Sequence, residues 1–357
     1  MKTEFQQLIK WSYDQFSHLP WRNNRTLYST LVSEFMLQQT TVGTVLNHFE
    51  LFMQKYPDIK TLSSQSEDEI LRSWKGLGYY RRARNLLKAS QYIYQEYQGE
   101  IPLKRDKLLA IPGIGPYTSN AILAIGANQH FWALDANIIR VITRIFNIQM
   151  LNRKDLINFL EDFILKDKTL NVVIKKYGGT AINEAMMDLG RTICVLKNPK
   201  CLICPLQKKC QSFQKKIFHQ EILNENKIKQ KLDLHLIRLI ILNEQNEILT
   251  FQKPKKSWLE SQWELPTFIL ESEDKSLNQY EWFKIKENKW PDFNLRFAFK
   301  IKSSITKYRI QNDVYVMNWQ IFKKSMHYSS KLQYQFKPLN FKQFSTLTDK
   351  ILLKEFH

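Results

Sequence analysis

Four cysteines, Cys194, Cys201, Cys204 and Cys210, are separated by six, two and five residues, and the chain has no others. Four thiolates in so short a stretch can wrap one inorganic centre. A secreted disulfide scaffold would distribute its cysteines instead. Zinc ribbons pair two CxxC knuckles. Only Cys201–Cys204 is of that kind here, so four-thiolate ligation of an iron–sulfur cluster is the better match.

Two carboxylates could do acid–base work. Glu34 lies inside an apolar run, LVSEFML (31–37). Burial there would raise its pKa and hold a proton for donation, whereas the ordinary fate of such a glutamate is a helix face reaching solvent. Asp135, in ALDAN (133–137), stands just before a helical pattern. An aspartate there is an N-cap as readily as a catalytic group.

The segment LAIPGIGPYT (109–118) puts Gly113 and Gly115 in a tight turn ahead of a helix starting near Pro116. Backbone N–H groups left open there form a phosphate site, although a plain helix–helix turn uses the same glycines. QQT (38–40) and GLGYYRRAR (76–84) set polar and aromatic groups beside basic ones. Such groups can enter a base stack and hold phosphates, or simply form surface.

The elements that must position these groups are helical through about residue 215. Apolar side chains at helical spacing run through 31–53 (Val42, Val45, Leu46, Phe49, Phe52 and Met53), 82–97, 117–127, 136–147, 155–165 and 181–196. Gly76, Gly78, Pro102, Pro112 and Gly113 punctuate them. A polar stretch after Cys210 reads as a linker, which divides the chain into a domain at 1–212, a linker at 213–231 and a domain at 232–357. The tail predicts strands at His235–Leu242 and Glu247–Gln252 about a turn at Asn243–Asn246, a helix at Ser276–Lys289, strands at Leu295–Lys302 and Tyr308–Phe322, and a closing helix at Ser345–Phe356. That is a small α+β domain, and no glycine follows Gly190.

The 357 residues carry a net charge of +19 and a pI near 9.6. Such a balance suits a polyanion partner, nucleic acid before membrane, or simply a basic proteome; charge alone leaves both open. No apolar run approaches the ~18 residues of a membrane span. The opening residues, MKTEFQQLIKWSYDQF, mix charge with apolar side chains and lack a signal-peptide core, so a cytoplasmic chain, associated with the nucleoid through DNA, is expected.

Taken in order, SEFMLQQT (33–40), GLGYYRRARNL (76–86), IPGIGPYTSNAIL (111–123), ALDANIIRV (133–141), NEAMMDLG (183–190) and the cysteine spacing resemble the adenine DNA glycosylases of the MutY family, in the helix-hairpin-helix superfamily with endonuclease III. The resemblance is dense over residues ~15–210 and weaker over the tail. It implies a mainly α N-terminal helix-hairpin-helix glycosylase domain with an iron–sulfur cluster loop, followed by a smaller α+β Nudix-like C-terminal domain. It implies a monomer that binds no membrane and excises adenine mispaired with 8-oxoguanine or guanine in double-stranded DNA.

In that reading Glu34 protonates the extruded base, Asp135 stabilises the oxocarbenium ion, and Tyr117 and Asn137 support the two acids. Leu19, Trp21, Arg22 and Glu184 match the adenine pocket. Gln39 and Tyr79 match the groups inserted at the lesion. Gly113, Gly115 and Thr118 match the phosphate-binding hairpin. Cys194, Cys201, Cys204 and Cys210 match the ligands of a [4Fe–4S] cluster. Endonuclease III carries a Schiff-base lysine where this chain has Tyr117, whose phenol cannot form one.

Some positions depart from the family. Ser17 stands where a basic residue is common. The tryptophan–glycine loop of the tail appears as WLESQW (258–263) without its glycines, and the lesion-reading Phe-Ser-His segment matches Ile305, Thr306 and Lys307. A tail with no glycine and no glutamate-rich helix motif is expected to read a ligand, not hydrolyse one. These departures leave a second reading, a non-catalytic or weakly active mismatch-binding iron–sulfur protein.

Overall fold

The computed structural model describes residues 2–149, 153–217, 231–253, 262–272, 295–305, 308–325, 334–341 and 344–356. They gather into two units, Met1–Asn226 and Lys227–His357.

The helices of the first unit are α1 (Lys2–Phe16), α2 (Leu27–Leu37), α3 (Val42–Lys55), α4 (Ile59–Ser63), α5 (Glu67–Ser73), α6 (Arg81–Tyr97), α7 (Arg105–Leu109), α8 (Pro116–Ala121), α9 (Ala136–Ile145), α10 (Arg153–Lys166), α11 (Lys168–Tyr177), α12 (Gly179–Thr192) and α13 (Gln211–Gln214). The pattern over 31–53 predicts one helix, but the chain breaks it in two. Gln39 takes a left-handed φ of +54°, and the Thr41 side chain then caps α3 by accepting the Thr44 N–H.

Helix α2 is buried from Tyr28 to Met36. A helix apolar on all sides belongs in a core, and whatever polar group it carries goes in with it. Phe49, Phe52, Tyr56 and Trp74 share its core. A second cluster joins α1, α9, α10, α11 and α12 through Phe5, Ile142, Leu160, Leu170 and Met186.

The turn between α7 and α8 needs one glycine for steric reasons. Gly113 sits at φ +85°, and a Cβ there would come within 2.7 Å of the Asn85 Cβ. Gly115 has open space around it and an ordinary φ of −98°, so neither packing nor backbone conformation demands glycine there. Helix α8 passes straight into a turn of π-helix, Ile122–Gly126.

In the second unit, strands β1 (Leu232–Leu242), β2 (Ile248–Gln252), β3 (Trp263–Glu264), β4 (Thr267–Ser272), β5 (Arg296–Ile305), β6 (Tyr308–Asn318) and β7 (Tyr334–Lys337) form one sheet. Its main path runs β3-β2-β1-β6-β5, with β4 on β1 and β7 on β2. Strand β1 runs parallel to β6 from Leu232↔Tyr308 to Leu242↔Asn318. The β1–β2 turn is held by Asn243, whose side-chain oxygen accepts the N–H groups of Gln245 and Glu247.

The strand predicted over Tyr308–Phe322 stops at Asn318. There the Asn318 side chain accepts the Gln320 N–H and opens helix α14 (Trp319–Ser325), which stacks Trp319 on Phe322 with ring centroids 5.8 Å apart. Helix α15 (Thr346–Phe356) closes the unit, capped by Ser345. The predicted helix Ser276–Lys289, most of the WLESQW loop, and Thr306 and Lys307 lie outside the described residues.

Candidate active site

Glu34, on the third turn of α2, is 5% exposed. The phenol of Tyr117, on α8, donates a 2.6 Å hydrogen bond to its Oε2. Burial pushes the Glu34 carboxyl up to about 7. The Tyr117 bond and the Arg25 charge work against that rise, while the charges of Asp135 and Glu184 add to it. At neutral pH the carboxyl is therefore poised to hold or release a proton. Burial and the Glu34 and Asp135 charges push the Tyr117 phenol well above its usual range, so it stays a neutral donor.

Asp135 does cap α9. Its Oδ1 accepts the Ile138 N–H at 2.7 Å and its Oδ2 accepts Asn137 Nδ2 at 2.7 Å. The same carboxylate is close enough to perturb both Glu34 and Tyr117. Burial raises its pKa, and the Ile138, Asn137 and Arg140 contacts pull it back. Capping and a place at the site are thus one geometry.

Asn137 is itself fixed from behind. Its side-chain oxygen accepts Arg140 Nη2 at 2.8 Å. Arg140 also donates to the carbonyls of Gly190 (2.6 Å) and Cys194 (2.7 Å). A turn further on, Arg144 donates to the carbonyls of Val195 (2.8 Å) and Leu196 (2.9 Å) and approaches Cys194 Sγ at 3.4 Å. Helix α9 therefore runs from Asp135 at one end to the cysteine loop at the other.

Leu19 and Trp21 are buried with the α2 core, Trp21 edge-on to Phe49 at 5.7 Å. Arg22 and Arg25 converge on one oxygen of Glu184, at 3.2 and 2.6 Å. Arg22 also meets Asp188 at 3.0 Å. Gln39 and Tyr79 are exposed, Tyr79 by 53%, and both hold left-handed backbone, φ +54° and +47°. Thr118 turns its side chain inward. Its side chain is buried and its hydroxyl lies 3.4 Å from Gln38 Nε2, so only its backbone N–H, in the first turn of α8, is left to face an anion.

Cys194, Cys201, Cys204 and Cys210 line one cavity of about 30 Å³ with Arg144, Ile193 and Phe213. Burial raises the thiols of Cys201 and Cys210 and pushes Cys204 up to about 12. Among the described residues, no three His, Cys, Asp or Glu side chains converge tightly enough to hold a single metal ion.

Residues 32–165 match the model of the HhH-GPD superfamily base excision DNA repair protein. Over 302 residues the chain is 33% identical to the adenine DNA glycosylase of Buchnera aphidicola subsp. Baizongia pistaciae, covering 84% of this chain and 82% of that one. The chain belongs to the adenine DNA glycosylase family. The mouse adenine DNA glycosylase is 35% identical over 217 residues, 58% of this chain and 41% of that one. Among solved structures, a thermostable thymine-DNA glycosylase is 26% identical, with a TM-score of 0.52, covering 60% of this chain and 97% of that one.

As an adenine DNA glycosylase the chain is a base excision repair enzyme that removes adenine from DNA, and no comparison points to a non-catalytic binding protein. No helix among the described residues is long and apolar enough to cross a membrane. Three groups of this glycosylase's site escape a reading of motifs: Arg25, Arg140 and Asp188. Arg140 and Asp188 leave a trace by lying within ALDANIIRV (133–141) and NEAMMDLG (183–190), and Arg140 stands three residues beyond Asn137 on one helix face.

Proposed function

We propose that the glycosylase acts as a monomer on duplex DNA in the cytoplasm and excises adenine opposite 8-oxoguanine or guanine, with Glu34 as the general acid. The buried Tyr117–Glu34 hydrogen bond carries this reading. Adenine must leave the stack to be reached, and a carboxylic acid held near neutral pKa can then protonate N7 and turn the base into a better leaving group. Asp135, oriented by Ile138 and Asn137, offsets positive charge on the sugar or captures it before water does. Gln39 and Tyr79 fill the space in the duplex, and the α8 N-terminus with Gly113 and Gly115 holds phosphate. Leu19, Trp21, Arg22 and Glu184 form the walls that receive adenine.

The donor set of the cysteine loop fits an iron–sulfur cluster. Four sulfurs line one cavity, and a four-thiolate donor set is what such a cluster takes. Cys194, Cys201, Cys204 and Cys210 would hold a [4Fe–4S] cluster, and through these four ligands the loop carrying Lys208 and Lys209 would be fixed. In this scheme residues 1–212 excise, 213–231 link, and the Nudix-like 232–357 reads the orphan base, with Thr306 and Lys307 as the sequence positions for that contact. Lysine has donors but no acceptor, so A:8-oxoguanine and A:G are discriminated less sharply than by a histidine-bearing relative.

Single-turnover excision on A:8-oxoguanine and A:G duplexes, with wild type and Glu34→Gln, tests the reading. Release of adenine by wild type and none by the variant, with binding kept, supports it. Excision by Glu34→Gln at the wild-type rate overturns it.

A further inference from the structure

Arg82 is 6% exposed, and among the described residues no carboxylate pairs with it. Its two Nη groups donate to backbone carbonyls from two separate segments, while its buried Nε has no hydrogen-bond partner among the described residues. Nη1 donates to Phe35 O (3.0 Å) and Met36 O (2.6 Å), and Nη2 to Leu77 O (2.9 Å) and Gly78 O (3.0 Å). Phe35 and Met36 belong to the last turn of α2, whose carbonyls the helix leaves unpaired and whose dipole favours a cation. Leu77 and Gly78 lead directly into Tyr79. The rings of Trp74 and Tyr79 lie 5.5 and 5.6 Å from the guanidinium carbon. Burial lowers its pKa to about 10, so it keeps its charge at neutral pH.

The two segments are those that carry Gln39 and Tyr79. Non-glycine residues persist in left-handed backbone only where their surroundings over-determine it, and both segments end on the same guanidinium. Thr40 adds a second stitch, its hydroxyl 3.4 Å from Leu77 O. Glu34 immediately precedes the first clamped carbonyl on α2. A rigid planar fork can serve four carbonyls at once; a lysine ammonium, a point charge with three donors, cannot.

We propose that Arg82 is a positioning residue that clamps the Gln39 and Tyr79 turns into one rigid wedge and ties that wedge to the helix carrying Glu34. Displacing the stack and presenting adenine to the acid are then coupled. The inference rests on the reading that Gln39 and Tyr79 enter the duplex.

The test is a mutant cycle read by single-turnover excision on an A:8-oxoguanine duplex, with melting followed by circular dichroism and binding measured on undamaged duplex. Arg82→Lys is expected to slow excision by about 100-fold, the scale of a small misplacement remote from the chemistry, while undamaged duplex is bound as before. In a Gln39→Ala/Tyr79→Ala background the same change should cost almost nothing more, because the parts it aligns are gone. An equal loss in both backgrounds, or no loss in either, overturns the proposal. Where Arg82→Lys does not fold, the cycle between Gln39→Ala and Tyr79→Ala decides: a clamped pair predicts that each single change costs nearly as much as both, and full additivity overturns it. If Gln39→Ala/Tyr79→Ala excises at the wild-type rate, the wedge reading itself fails and the clamp with it.

Discussion

Tyr117 donates to Glu34 across 83 residues of sequence, at 2.6 Å, and so stabilises the ionised form of a carboxyl that burial drives toward the protonated one. With Glu34 as the proposed general acid, the pair sets how excision answers to pH. Tyr117→Phe removes a contact that lowers the Glu34 pKa, so the carboxyl rises above its value of about 7. Excision that needs the protonated acid is lost as pH rises through that pKa. In single-turnover pH profiles the falling limb of the variant should therefore lie at higher pH than that of wild type. A limb that stays in place would show that Glu34 is not the group being titrated.

Glu34→Gln should abolish excision and at the same time stabilise the fold. The raised pKa means that the unfolded chain gives up its proton first, so the wild-type contribution is most favourable below the usual 4.5 and is lost as pH rises to about 7. Across that window the difference amounts to about 3 kcal/mol. Thermal melts of both proteins should agree near pH 4.5, and the variant should be the more stable at pH 8. Equal melting at pH 8 would mean that Glu34 is not held in the desolvated setting described.

Much of this site is readable in the sequence, and what is not has a common cause. Glu34 announces itself as an acid within LVSEFML, and the cysteine spacing is visible by count. The break between α2 and α3 is not, because Gln39 adopts left-handed backbone without glycine. Arg82 and Arg140 look like surface cations on amphipathic helices. Their distant partners include the Met36 and Gly190 carbonyls, 46 and 50 residues away, and a backbone acceptor leaves no residue type to recognise. Thr118 shows the same limit: the sequence does not reveal that packing turns its hydroxyl inward. In the second unit the strand pattern overruns Asn318 because Trp319 and Phe322 suit a strand as well as a helix.

The purified enzyme should contain iron and acid-labile sulfide, and Cys204→Ser should lower both along with DNA affinity. Lys208→Ala should act differently. With the loop intact it removes one phosphate contact, so the slope of log affinity against log salt falls by about 0.9. Stoichiometric zinc without iron would refute the cluster.

Adenine release should leave the strand uncut until alkali is added, since Tyr117 offers no amine for a Schiff base. Borohydride trapping against endonuclease III measures this. A covalent adduct as abundant as that of the lyase would contradict it.

Gly190→Ala probes the seam between α9 and α12. A Cβ at this position would stand 2.5 Å from the Asn137 Cβ and 2.9 Å from its Cα, and these are not atoms at the end of a flexible side chain. The helices must separate, and overpacking of this kind costs about 1–3 kcal/mol. The Gly190 carbonyl is also where Arg140 anchors, at 2.6 Å, and Arg140 holds the Asn137 oxygen whose amide nitrogen orients Asp135. A shift at Gly190 therefore reaches Asp135 through three hydrogen bonds and leaves the Tyr117–Glu34 pair, on α8 and α2, in place. The excision rate should fall by more than ten-fold while the pH position of its falling limb, set by Glu34, stays where it was. If the limb moves with the rate, the seam supports Glu34 as well; if stability falls and the rate does not, Asp135 is held by the N-cap bond to Ile138 alone.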